Sequence, residues 1–215
     1  SECTTGTGNS AFGRQALVSA TTPSNNTGIG YKALQLNTTG DANTALGSLA
    51  LDANTTGVSC VAVGYGALGA NTTAIQNVGI GQNALASTTT GGTNTAVGHD
   101  ALVSNTTGSL NVAVGTLALD ANQTGAANTA VGYNSLSACT TDGNTAFGKD
   151  ALELCTTGVN TAVGGNALAS VTTGTGNTAV GQDALTLNTG TQNTAVGALA
   201  LDANTTGNKN VGIGL

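Results

Sequence analysis

Tryptophan and methionine are absent from the 215 residues, proline occurs once, and the only rings besides the single histidine come from three tyrosines and two phenylalanines. So few aromatics exclude the ring-rich core of an ordinary globular enzyme. Charge is scarce as well: four Lys+Arg stand against ten Asp+Glu, a net charge of −6. That balance argues against nucleic acid or an anionic membrane as a partner. No apolar run approaches the roughly 20 residues of a membrane span. The chain opens with neither an initiator methionine nor a signal-peptide pattern, and so reads as a processed chain or an excised segment.

What is abundant is glycine, at 33 positions, together with threonine, asparagine and alanine. Glycine does not recur at every third residue, which excludes collagen. Low net charge and plentiful β-branched residues exclude a disordered chain.

One block, Asn-x-Ala-(aliphatic)-Gly, recurs from end to end. Its closing glycines are Gly13, Gly30, Gly47, Gly64, Gly81, Gly98, Gly115, Gly132, Gly148, Gly164, Gly181, Gly197 and Gly214, spaced 17 residues apart and three times 16. With each of these glycines as position zero, the columns become readable. Position −1 is always apolar (Phe12, Ile29, Leu46, Val63 and so on), −2 is only Ala or Gly, and −4 is Asn except at Cys60. Position +3 is Ala except at Ser135, +4 is Leu from Leu17 to Leu201, and +8 and +9 are nearly always Thr-Thr. Charges gather at +1, +2 and +5 or in the turn after Thr-Thr-Gly.

A period this short cannot hold a helical hairpin. It suits two short β segments and two turns per rung, with rungs about 4.8 Å apart. The expected fold is therefore all-β: a parallel β-solenoid or β-roll of about thirteen 16–17-residue rungs, one continuous repeat domain over 1–215.

Positions −4, −2 and 0 share one face of the strand, and −3 and −1 share the other. Counted as core, −1 and +4 give two large apolar side chains per rung. The −2 column never exceeds a methyl group, which suggests close approach of another backbone. On that basis several chains, most simply three, are expected to pack side by side. The alternative is that these alanines fill the narrow interior of a single flattened coil.

Asn128-Thr-Ala-Val-Gly-Tyr-Asn-Ser-Leu and Asn111-Val-Ala-Val-Gly115 resemble the Asn-Ser-x-Ala-Ile-Gly repeats of trimeric autotransporter adhesin heads and the repeats of bacterial and phage tail-fibre-like proteins. The resemblance covers essentially the whole chain. It implies a homotrimeric, cell-surface or secreted structural fibre, an adhesin with a host-surface or glycan receptor. Neither end of the chain carries a capping repeat. That pattern is expected either of a segment of a longer fibre or of subunits that join head to tail into a filament.

Cys139 and Cys155 both occupy +7 in consecutive rungs, within disulfide reach, and could equally be two stacked free thiols. Cys3 extends the same column without a neighbouring cysteine and is a candidate intersubunit residue. Cys60 reads as a small buried filler. The four cysteines make no zinc pattern, and no calcium or phosphate-binding pattern is found, so neither metal nor cofactor is expected. His99 beside Asp100 lacks a placed nucleophile and reads as a surface loop residue. Seven Asn-x-Ser/Thr sequons occur, at Asn25, Asn37, Asn54, Asn71, Asn105, Asn122 and Asn204. Most are generated by the repeat itself. The function expected is a non-enzymatic rigid fibre subunit. The alternative is an ice-binding or carbohydrate-binding β-solenoid using its Thr rows.

Overall fold

The structure, a computed structural model, describes residues 6–214. Thirteen three-residue strands, β1 (Ser10–Phe12) to β13 (Val211–Ile213), follow each other at the repeat spacing. They form one sheet in sequential order, every neighbouring pair parallel and in register, as in Thr95↔Val112, Ala96↔Ala113 and Val97↔Val114. Each strand covers positions −3 to −1, where β-branched residues favour extended backbone.

The sequence suggested two β segments per rung, and the fold has one. Residues +1 to +12 form turns instead, yet these turns also bond from rung to rung: Leu34 N–H donates to Ala50 O at 3.1 Å and Thr38 N–H to Thr55 O at 3.0 Å. The coil is thus laddered on both walls.

Several columns of positive φ shape the turns, at +2 and −5 as well as at +4 and zero. Leucine at +4 is left-handed in every rung, with Leu102 at φ 51°. Such a conformation costs about 1–2 kcal/mol. Burial of the leucine side chain, about 1.5–3 kcal/mol, offsets it. Glycine at position zero has φ near +135°, and at Gly98 an added Cβ would lie 2.5 Å from Gly115 O of the next rung. The stacking therefore leaves no room for a side chain in this column.

The core corrects the expectation drawn from the alanine column. Ala45, Ala62, Ala96 and Ala113 at −2 are fully buried within a single coil, beside Leu51, Leu68, Leu102 and Leu119 at +4. Where −2 is Gly79, an added Cβ would lie 3.3 Å from Leu68 Cγ of the same chain. The methyl column therefore packs on the chain's own leucines and does not face a sister backbone. Position −1, counted as core from the sequence, points outward.

Two asparagine ladders run inside the coil. At −4, each side-chain oxygen accepts the next rung's backbone N–H (Asn43 N–H to Asn26 Oδ1, 2.8 Å), while Nδ2 donates across the coil (Asn43 Nδ2 to Gly57 O, 2.8 Å). At +7, Asn54 Nδ2 donates to Asn37 Oδ1 at 2.9 Å and Asn71 Nδ2 to Asn54 Oδ1 at 2.8 Å. Buried amides need such partners, and the repeat supplies them wherever asparagine recurs.

Candidate functional site: the outer sheet face

Because −4 and −2 turn inward, strand alternation forces −3 and −1 outward. Ile29, Leu46, Val114 and Val180 at −1 are exposed, and Thr44 and Val112 at −3 lie beside them. Thr95, Thr129 and Thr161 in the same outer column are partly covered. No residue in either column is charged. The two columns stand two residues apart, roughly 7 Å, and repeat about every 4.8 Å along the rod. They make a strip on the order of 60 Å long. Phe147 projects from it, 56% exposed, and Tyr31, Tyr65 and Tyr133 at +1 flank one edge. The strip is uncharged, apolar along −1 and chiefly threonine and valine along −3.

The charged columns border the strip. Near its first rungs, the Arg14 guanidinium lies 5.9 Å and the Lys32 ammonium 5.5 Å from the centre of the Tyr31 ring. Lys149 pairs with Asp150. His99 Nδ1 sits 3.2 Å from Asp100 Oδ2, with the histidine exposed at a rung corner. Burial pushes the Asp52 and Asp120 carboxyls at +5 above the usual range, and Asp120 Oδ1 is buried without a hydrogen-bond partner.

The threonine rows divide by column. At +8 the hydroxyls are engaged within the rod: Thr38 Oγ1 donates to Thr55 O at 3.0 Å, and Thr55 Oγ1 to Thr72 O at 3.0 Å. Outward threonines stand at +9 and −3. Five of the sequon asparagines, Asn37, Asn54, Asn71, Asn105 and Asn122, lie fully buried in the +7 ladder, whereas Asn25 is exposed.

Cys60, Cys139 and Cys155 are buried free thiols, and Cys3 lies outside the described residues. Burial pushes the Cys60 thiol up. A cleft of about 270 Å³ is lined by Asp183, Thr186, Leu187, Leu199 and Asp202. Among the described residues no three His, Cys, Asp or Glu side chains group to hold a metal ion, and no helix is long and apolar enough to cross a membrane.

The outer face was missed in the sequence because the large apolar residues were assigned inward. The mixture of Thr with Val at −3, on the same side as −1, was the signal for an outward face. Comparison of the chain with family models, with curated proteins and with solved structures gives no match.

Proposed function

We propose that this chain is the structural subunit of an extracellular fibre, whose rods associate side by side through the −3/−1 face, most simply as a homotrimer. The observation that carries this reading is the absence of any charge from both outward strand columns over all thirteen strands. A lone rod tolerates lysine or glutamate there, as its +1, +2 and +5 columns do. Two columns roughly 7 Å apart and on the order of 60 Å long offer roughly 400 Å². Flanking tyrosines widen the strip toward the roughly 800 Å² per side of a standard interface. In-register stacking runs both columns the length of the rod, so sister rods can pair along it. A rigid rod of this kind suits an adhesive stalk whose receptor is a host surface or glycan.

Sedimentation equilibrium tests the reading. A fixed multiple of 20.5 kDa, three copies in the simplest case, is expected across a wide concentration range. A monomer at the highest concentration overturns it. A monomer that shapes ice crystals would favour the alternative, with the −3 and +9 threonines as the binding rows.

A further inference from the structure

Where the +7 ladder reaches Cys139 and Cys155, asparagine gives way to sulfur in two successive rungs. Both rungs are the shortened 16-residue form, Gly132 to Gly148 and Gly148 to Gly164. The amide chain stops here: Asn122 Oδ1, which would meet an asparagine in the next rung, is buried without a hydrogen-bond partner.

The two cysteines occupy equivalent places. Cys139 N–H donates to Leu136 O at 3.1 Å, and Cys155 N–H to Leu152 O at 3.2 Å. The rungs are held in register beside them by Leu136 N–H to Ala151 O and Ala138 N–H to Glu153 O, both 3.0 Å. One rung apart means about 4.8 Å between Cα atoms, inside the span a disulfide bridges. The neighbouring Cys155 side chain draws the Cys139 thiol down to about 7, and Cys139 together with burial pushes the Cys155 thiol up.

We propose that Cys139 and Cys155 are an oxidative modification site, joined by a disulfide that staples the two rungs where the amide ladder is broken. The oxidant is a small-molecule disulfide. The Cys139 thiolate attacks one of its sulfurs and expels a thiolate, forming a mixed disulfide. Cys155, giving up its proton, then attacks the Cys139 sulfur and expels the second thiolate. Two protons and two electrons leave the cysteine pair, and the oxidant is reduced to two thiols. Both sulfurs are sealed once the rungs close, so the exchange belongs to the folding chain. The proposal does not depend on the fibre reading.

Lys149 is the only lysine or arginine between the two cysteines, which makes the bridge directly mappable. The full chain is refolded with oxidised glutathione, alkylated, denatured and cut with trypsin. The peptides 33–149 and 150–209 are expected as one linked species that separates on reduction. In a Cys3→Ser/Cys60→Asn background, no free thiol is expected on denaturation. Unlinked peptides with Cys139 and Cys155 both alkylated, or both carrying glutathione, overturn the proposal. Reduction is further expected to lower the folded-to-unfolded ratio about a hundredfold, as for a short closed loop. A Cys139→Ser/Cys155→Ser variant that responds equally to reductant would contradict the staple.

Discussion

Replacing Cys60 with asparagine is expected to stabilise the rod. In the other rungs a −4 asparagine oxygen accepts the next rung's backbone N–H, as Asn94 N–H to Asn77 Oδ1 (2.8 Å) and Asn111 N–H to Asn94 Oδ1 (2.9 Å) show. Cys60 itself donates its N–H to Asn43 Oδ1 at 2.9 Å but offers no oxygen to the Asn77 N–H above it. Its Sγ, a weak acceptor, is what the Asn77 and Gln76 N–H groups meet instead, and the thiol donates to Ala74 O at 3.4 Å. Asparagine needs no new space, since Asn43 and Asn77 in the flanking rungs sit in the same slot fully buried. Exchanging a weak sulfur acceptor for an amide oxygen contributes about 1 kcal/mol net. The expected gain is about 1 kcal/mol, a rise in melting temperature of about 2–4 °C for a chain of this size. Urea unfolding should show a higher midpoint at unchanged slope. Hydrogen exchange should show the Asn77 amide slowing selectively. A lower midpoint, or an Asn77 amide that exchanges as before, would refute the ladder argument.

Gly98→Ala should destabilise by about 2–3 kcal/mol or more in urea unfolding, because it combines left-handed strain with a 2.5 Å approach to Gly115 O. Gly165→Ala, whose added Cβ meets nothing closer than 3.9 Å, should stay within about 0.5 kcal/mol. Asp120→Asn should stabilise at neutral pH. Burial raises the native carboxyl's pKa, so the native state holds its proton more tightly, and wild-type stability falls as pH rises from the unfolded to the native pKa. The variant's advantage should therefore vanish in acid, and an advantage that grows on acidification would refute this. Secreted from a glycosylating host, the folded protein should carry no glycan at Asn37, Asn54, Asn71, Asn105 or Asn122, all fully buried. Peptide mass mapping checks this, with glycan found on those asparagines as the contrary result.

The register was legible because glycine at zero, leucine at +4 and asparagine at −4 are each dictated by one repeated contact. Which face turns inward was not. A coil this narrow accepts Ala62 and Leu68 but not a valine in place of Ala62, so the larger apolar residues of the strand, such as Val63, lie outside. That inverts the usual rule that the bulkier hydrophobic side chain faces the core. Asn37-Thr38-Thr39 looked like a surface turn because its composition is polar. Its asparagine is internal because the neighbouring rungs offer an identical amide, a pairing visible only once the rungs are stacked. The break in that ladder at Cys139 follows from the same stacking.

The central claim is that the uncharged −3/−1 face holds sister rods together. Val97→Asp with Val131→Asp places two carboxylates on that face while leaving the buried Ala96 and Ala130 untouched. Sedimentation equilibrium should then give a single 20.5 kDa species with the wild-type β circular dichroism spectrum, whereas Ala86→Asp on the +5 column leaves the assembly intact. An assembly that survives the paired aspartates unchanged would contradict the account.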